Sequence, residues 1–417
     1  MTGLNRQDRT FFNVHDDTWT ALALWAILSY TGIIGSLNKI VTFLIGEETV
    51  WDTAIVMPMF AIFIILGTAA ALKKIQRREF ILILAIVLLW VLSFFINEES
   101  RVLMQMYYFR PVLVEGVCGI ICISNFRNWE KFESVGKQFI VIGSALYFTT
   151  VILQILGKTE IQYMASAYNS LIFIIGAFWL AIQRKKTLFW IIAVVGAFIV
   201  LIAGNRGGLV CIAIFILLEF MFNKKIKIFS KVLFFLAIVL LLFNVDNILQ
   251  SIEHVVERYD FESRTIEKFF EGTINEDSGR ERYRLAAWEV SKDSPILGHG
   301  MGGSFKPLYE EVKGVTPSGM QHIYSHNLYF DFIMDYGIIF GTIIFFVLIV
   351  GLLRAISKSR KYKLVEILFL FFSIAIPKLM LSSNYLSEPT FFVFLGVLLN
   401  FNFVNYENDN QPAEVEI

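Results

Sequence analysis

The sequence predicts an all-α polytopic membrane protein, with about twelve transmembrane helices and one large, partly helical extracytoplasmic loop. Three observations carry this: a charge-poor apolar composition, a succession of apolar runs of bilayer length, and basic clusters that alternate between connections. Of the 417 residues, 56% are hydrophobic, 15% aromatic and 17% charged, where a soluble globular chain carries roughly a quarter charged residues. Phe occurs 41 times, which suits contact with lipid. The 36 basic and 36 acidic residues cancel, so the placement of charge matters more than its sum. Basic residues fall in short clusters between apolar runs, which gives nucleic-acid binding no support. Cys118, Cys122 and Cys211 lie inside apolar runs with no CxxC pair and read as small buried hydrophobes. Cys118 and Cys122, four apart, can touch on one helix face.

Crossing about 30 Å of hydrocarbon takes roughly 20 apolar residues. Such runs begin near Trp19, Asp52, Phe80, Val102, Val135, Ala165, Leu188, Leu209, Phe229, Gly337, Val365 and Pro389. The polar start of the chain, with Asp16 and Asp17, lacks a small-residue cleavage pattern and reads as a cytoplasmic tail rather than a signal peptide. Lys73, Lys74, Arg77 and Arg78 follow the second run, and Arg127, Lys131 and Lys137 the fourth. Arg184, Lys185 and Lys186 follow the sixth, Lys224, Lys225, Lys227 and Lys231 the eighth, and the stretch from Arg354 to Lys363 the tenth. The short connections after odd-numbered runs hold Arg101, Lys158 and Arg206. Positive charge on every even-numbered exit puts both termini in the cytoplasm of a plasma (inner) membrane protein. The expected organisation is a cytoplasmic tail over 1–18, transmembrane helices one to nine over 19–244, and the extracytoplasmic loop over 245–325. A returning helix with transmembrane helices ten to twelve follows over 326–404, then a cytoplasmic tail over 405–417.

The loop of roughly 80 residues is too long for a structureless connection, so it is expected to fold over the membrane domain. Helical periodicity occurs around Ile252 to Phe270 and around Tyr283 to Lys292. His254, His299, His322 and His326 lie in the loop or at its end. No internal repeat runs through the chain, which weakens the inverted-repeat plan of many transporters.

Four elements could carry chemistry. The first is the turn Gly204-Asn205-Arg206-Gly207-Gly208. A flanking run of about 16 residues spans only about 24 Å, so Arg206 sits at or slightly below the outer headgroups, where an arginine is costly without a partner. The plainer reading is a tight turn with a snorkelling arginine. The second is Gly279-Arg280-Glu281-Arg282-Tyr283-Arg284, leading to Trp288. On a helix Arg280, Arg284 and Trp288 share a stripe and Arg282 points elsewhere. Guanidinium groups suit phosphate oxygens, although a solvated face paired with Glu281 and nearby acids would look the same. The third is the glycine-rich turn Pro295-Ile296-Leu297-Gly298-His299-Gly300-Met301-Gly302-Gly303, which lacks the Lys-Ser/Thr ending of a P-loop. The fourth is Ser325-His326-Asn327-Leu328, opening an amphipathic stretch through Asp331, Asp335 and Gly337. An unperturbed imidazole titrates near 6.5 and can accept a proton at external pH. A structural hydrogen bond is the alternative role. His322 stands at helical metal-ligand spacing from His326, without convincing third and fourth ligands.

Taken in order, these elements resemble the O-antigen ligase/polymerase superfamily of Wzy-type polymerases and lipopolysaccharide O-antigen ligases. That family has an Arg-Gly turn between two spans, then a long outer loop with a Gly-Arg…Trp…Pro-x-x-Gly-x-Gly stretch. The loop ends in a His-Asn-x-x-Leu-like sequence followed by an acid and Gly. Arg206, Arg280 or Arg284, Trp288, Pro295, Gly298, Gly300, His326, Asn327 and Gly337 stand at those places. The motif resemblance covers about Gly204 to Gly341. Departures are Asn205 for the usual Ser, Asp335 for the usual Glu and Phe332 for Leu. Arg280 follows the Gly, whereas Arg284 has the usual distance to the Trp.

The resemblance implies a GT-C-like, metal-independent, cofactor-free inverting glycosyltransferase on the outer face. Its donor would be an oligosaccharide on undecaprenyl pyrophosphate, and its acceptor a hydroxyl of the next lipid-linked repeat unit. His326 would be the catalytic base. Arg206, Arg280, Arg284 and Arg110 would hold the pyrophosphate, with Asn327, Trp288, Gly298, Gly300 and Asp335 in support. A flippase and a chain-length regulator would be partners besides the bilayer. Phe, Ile and Lys usage points to an AT-rich, Gram-positive source without lipid A, which favours a surface-polysaccharide polymerase (capsule, exopolysaccharide or O-antigen) over the ligase. A lipid-linked oligosaccharide flippase is the rival of another class, kept open by Arg110, Glu115, Lys39 and Lys378 within spans. A shape-and-division peptidoglycan polymerase shares the layout but not the Arg-Gly turn or the His-Asn motif.

Topology is tested by reporter fusions. Fusions after Arg78, Lys186, Lys225 and Arg360 are expected to read as cytoplasmic, and those after Ser278 and Gly314 as external. A cytoplasmic Ser278 fusion would put the arginine loop on the wrong face.

Overall fold

The computed structural model describes residues 6–45, 51–156, 163–202, 205–223, 280–313, 323–362 and 364–404. The helices, in chain order, are α1 (Arg6–Ile45), α2 (Trp51–Leu72), α3 (Arg77–Ile96) and the short α4 (Arg101–Leu103). A π-helix, Met104–Gly116, joins α4 to α5 (Val117–Ser124). Then come α6 (Trp129–Ile155), α7 (Tyr163–Arg184), α8 (Thr187–Ile202) and α9 (Arg206–Phe222). The described part of the long loop supplies α10 (Arg280–Asp293) and α11 (Phe305–Val312), followed by α12 (Leu328–Lys361), α13 (Val365–Leu381) and α14 (Pro389–Phe403). No strand occurs among the described residues. The expected run near Phe229, the expected loop helix at Ile252 to Phe270, His254 and His322 lie outside the described residues.

By length and apolarity, six helical stretches could cross a membrane, among them Asp16–Ile45, Arg77–Ile96 and Leu328–Lys361. Val56–Leu72, Thr187–Leu201 and Pro389–Phe403 are shorter apolar helices. Several starts are written in side chains. Asn128 and Asn205 cap α6 and α9, accepting from Lys131 N (3.0 Å) and Gly208 N (2.7 Å), which satisfies N–H groups that a helix start leaves open. Pro389 opens α14, where its missing N–H costs nothing.

Two segments differ from the sequence expectation. The polar start is helical from Arg6 and continuous with the first apolar run, because nothing in that stretch breaks a helix. The fourth run is a π-helix for 13 residues. Pro111 brings no N–H to an i→i−4 ladder, and the widened coil carries the chain past it.

The basic connections gather at one end of the bundle. Lys73 pairs with Asp16 (3.0 Å) and Lys74 with Asp17 (2.8 Å). Arg184 and Lys137 share Glu133. The Arg78 guanidinium lies over the Phe403 ring, and that of Arg360 over the Phe222 ring. These contacts join the ends of α1, α2, α3, α6, α7, α9, α12 and α14, as the alternation of charge requires. Between the ends, one large apolar core is built around Trp25, Phe132, Phe173, Phe215, Phe371 and Phe394. Trp25 stacks on Phe132 and donates its indole N–H to the Phe132 carbonyl at 2.8 Å, so a polar atom in the core is satisfied. Asn400 donates to the carbonyls of Ile123 and Phe126, both at 2.7 Å, tying α14 to the end of α5. The free cysteines Cys118 and Cys122 sit in this core beside Thr68.

At the opposite end, α10 and α11 form a cap with a small core of its own, including Ala287, Val290, Phe305, Leu308, Ile323 and Met334. The turn from Pro295 to Gly303 fastens this cap to α12. His299 N–H donates to Met334 O (2.9 Å), Gly300 N–H to Asp335 O (2.8 Å) and Ile339 N–H to Pro295 O (3.2 Å). These bonds need α12 to open, and it breaks at Gly337, with φ 78° and ψ 161°. Gly298, at φ 68°, faces that break so closely that a Cβ on it would lie 2.3 Å from Gly337 N. The same atom on Gly337 would lie 2.4 Å from the Ile296 carbonyl.

Alanine at Gly298 or Gly337 therefore combines backbone clash with a left-handed conformation that alone costs roughly 1–3 kcal/mol. Both variants are expected to lose thermal stability in detergent by fluorescence-detected size exclusion, whereas Gly35→Ala, with open space around it, is not.

Candidate functional site

The polar residues at the capped end converge on Ser382, just past the end of α13. Arg280, the first residue of α10, donates through Nη2 to Ser382 Oγ at 3.0 Å. The Tyr324 hydroxyl donates to the Ser382 carbonyl at 2.9 Å, and the Tyr168 hydroxyl from α7 also bonds the Ser382 side chain. The glycine turn reaches the same point from another direction. A Cβ on Gly207 would fall 1.7 Å from the Tyr168 hydroxyl, so only a glycine after Arg206 lets α9 start against that tyrosine. Arg206 is half-buried at this start, behind the Asn205 cap.

His326 occupies the far side of Tyr324. Its ring centroid is 4.2 Å from that of Tyr324 and 5.4 Å from that of Tyr283 on α10. Burial pushes the Tyr324 phenol up to about 12, so it stays protonated and keeps its donor role toward Ser382. His326 has φ 59°, a left-handed backbone that residues other than glycine adopt at some cost. The residues on either side hold it there. Ser325 Oγ lies 2.6 Å from Asp331 Oδ1 and accepts from Asn327 N–H at 3.1 Å. Asn327 caps α12, its Oδ1 accepting from Tyr329 N (3.0 Å) and Phe330 N (3.4 Å). The imidazole thus stands on the bend just before a capped helix, half-buried between two tyrosines.

Asp335 buckles three elements together. It is 2% exposed and accepts from Ser304 Oγ (2.6 Å), Gly302 N (3.2 Å) and the Tyr385 hydroxyl (2.7 Å). It thereby links the cap, α12 and the connection between α13 and α14. Asp331 is likewise buried against Ser325. Asn97, after α3, adds a further tie by donating to the His299 carbonyl at 2.8 Å.

Of the residues picked from sequence, Arg206, Arg280, His326 and Asn327 meet in this layer. Between the two competing arginines, the bond to Ser382 puts Arg280 at its centre. Arg284 lies half-buried one turn on, and Arg282 is exposed. Trp288 is 38% exposed, with Lys292 Nζ 6.0 Å from its ring, away from Ser382. Gly298 and Gly300 serve the fastening turn. Arg110 is on the π-helix, in an ion pair with Glu115 (3.1 Å) and against the Tyr30 ring (4.3 Å). Sequence reading passed over Tyr168, Ser304, Tyr324, Ser382 and Tyr385. Ser382-Ser383-Asn384-Tyr385, a polar run between two apolar ones, was the available signal; the others carried none.

Residues 145–346 match the family model described as O-antigen ligase. The match takes in the Arg206 turn, α10, the fastening turn and His326, and bears out the resemblance to the O-antigen ligase/polymerase superfamily. With the apolar helices, it supports a multi-pass membrane protein of O-antigen ligase/polymerase-like function. No curated protein and no solved structure matches the chain.

The buckle has a direct test. Asp335→Asn keeps the shape but replaces an acceptor oxygen by an N–H2 facing donors, at a cost of about 1–3 kcal/mol. It is expected to lower thermal stability and trypsin resistance of the cap more than Tyr385→Phe, which removes one donor and leaves the carboxylate two.

Proposed function

Proceeding from the O-antigen ligase family match, we propose that this protein polymerises oligosaccharide repeat units carried on undecaprenyl pyrophosphate, by inverting glycosyl transfer at the outer face of the plasma membrane. The observation that carries the reading is the meeting of Arg206, Arg280 and His326, from three separate parts of the chain, around Ser382, Tyr168 and Tyr324.

The acceptor hydroxyl attacks the anomeric carbon of the donor while His326 takes its proton. The bond from that carbon to the pyrophosphate oxygen breaks, and undecaprenyl pyrophosphate leaves. A pyrophosphate leaves as an anion and needs charge stabilisation rather than a proton, which arginines supply best where water is scarce. Arg206 and Arg280 have that task, with Arg284 one turn away. His326 needs to come within about 3 Å of the hydroxyl, and its bend projects it between tyrosines rather than into the helix. A lipid-linked donor also needs room for its tail. A groove of about 880 Å³ between α3, α12 and α14 is lined by Ile86, Phe332, Tyr336, Leu395 and Leu399. It runs from Tyr385, at the buckle, to Arg354 and Lys358 at the basic end, the path that a long prenyl chain would follow through the bilayer. A ligase would use the same donor chemistry with a different acceptor.

His326→Ala and His326→Gln, purified and given lipid-linked repeat units, are expected to lose about 10²- to 10⁴-fold in turnover with donor binding largely kept. Full activity in His326→Ala rules the base assignment out. Arg206→Ala is expected to abolish polymer on chain-length gels at unchanged protein level. Arg206→Lys restores little, because a point charge does not replace the planar fork. Polymer of normal length in Arg206→Ala, Arg280→Ala and Arg284→Ala alike sinks the pyrophosphate clamp.

A further inference from the structure

Beside the arginine layer lies a partly open chamber of mixed lining that the proposed chemistry does not use and whose charged residues, Lys378 and Glu388, lie beyond the family match. It has a volume of about 180 Å³ and is lined by Thr31, Tyr168, Asn169, Lys378, Glu388 and Thr390, among others. Lys378 stands one turn before Ser382 on α13, whose N–H donates to the Lys378 carbonyl at 2.8 Å. Its Nζ lies 2.5 Å from Glu388 Oε1 and 5.2 Å from the Tyr168 ring. Tyr168 is therefore a shared wall, its ring toward the chamber lysine and its hydroxyl on Ser382.

Both charged side chains are largely buried, at 11% and 14% exposure. An ion pair placed among membrane helices is no cheaper than two apolar residues of the same size, and ionisable groups at such depth mark function by default. Lys378 and Ser383 both donate to Oε1 of Glu388. Thr390 Oγ1 is buried and without a partner among the described residues. Asn169 and Thr31 add further polar groups to the lining.

The chamber's charge is balanced, one cation against one carboxylate, so it does not select an anion. Its lining of hydroxyls, an amide and a carboxylate fits a neutral polyhydroxyl group. Its volume lies below the roughly 300–1,000 Å³ of pockets for drug-sized ligands, which limits it to one small ring. We infer that the chamber is a recognition subsite for a single uncharged sugar ring of the lipid-linked repeat unit, with the Glu388 carboxylate and the unpartnered Thr390 Oγ1 as partners for its hydroxyls. This rests on the proposed function and adds a specificity-determining site whose charged pair, Lys378 and Glu388, lies outside the matched family region.

The test uses purified full-length protein in nanodiscs and two probes. One is the lipid-linked repeat unit extracted from cells lacking this chain; the other is undecaprenyl pyrophosphate without sugar. Dissociation constants are measured for wild type, Glu388→Gln and Thr390→Val. Glu388→Gln is expected to weaken the repeat unit by about 10- to 100-fold, the range for a hydrogen bond to a charged group, and to leave undecaprenyl pyrophosphate unchanged. Thr390→Val, which loses no protein contact, weakens the repeat unit less and in the same selective sense. Equal weakening of both probes in Glu388→Gln makes the pair a structural strut and overturns the subsite. Unchanged binding of both probes in both variants makes the chamber a water pocket and overturns it too. Failure of undecaprenyl pyrophosphate to bind wild type overturns the polymerase reading and the subsite with it.

Discussion

The backbone clamp between the Pro295–Gly303 turn and the break in α12 is the constraint on which the capped end depends. Two glycines with left-handed backbones face one another with no room for a methyl group on either. Around that contact, three N–H groups of cap and helix are satisfied across the gap. A helix broken in the membrane interface would otherwise leave backbone groups unpaired, at several kcal/mol each where water is absent. The clamp removes that penalty and fixes the start of α10 in the same stroke. Arg280 reaches Ser382 only because α10 is held at that height, and Asp335 reaches Tyr385 only because α12 has opened by Gly337.

The layout was legible in the sequence to the degree that hydrophobicity and charge dictate it. Apolar runs near Phe80, Leu188, Val365 and Pro389 became helices, because lipid leaves the backbone no other way to pair. Basic clusters such as Lys73-Lys74 and Arg184 gathered at one end for a separate reason, the sidedness of positive charge in the connections. Side-chain partnerships were not legible. Nothing about Tyr168 or Tyr324 in sequence says that both meet Ser382, since that requires α7, the loop and α13 to be placed together. The π-helix was likewise hidden. Pro111 signals a disturbance without saying how many residues it governs.

The site itself was half written. Arg206 and His326 stood out in the sequence because each interrupts an apolar pattern at an expected membrane boundary, where polar side chains need a reason. The choice between Arg280 and Arg284 was not, because both spacings are admissible on a helix and only the contact with Ser382 separates them. Asp335, expected in a supporting place, has three donors converging on it, which its position on an amphipathic stretch did not announce. A carboxylate so surrounded holds structure and has little capacity left for a substrate.

Tyr168 has a consequence that concerns communication rather than shape. One face of its ring meets the Lys378 ammonium and its hydroxyl meets Ser382 beside Arg280, while Gly207 packs against the same oxygen. Any rearrangement of that side chain alters two compartments at once, so their occupancies are thermodynamically linked. Linkage is reciprocal: whatever factor a ligand in one compartment applies to binding in the other is returned in full. A single phenol gives this bundle the means to sense in the arginine layer what stands in the chamber, without a moving domain.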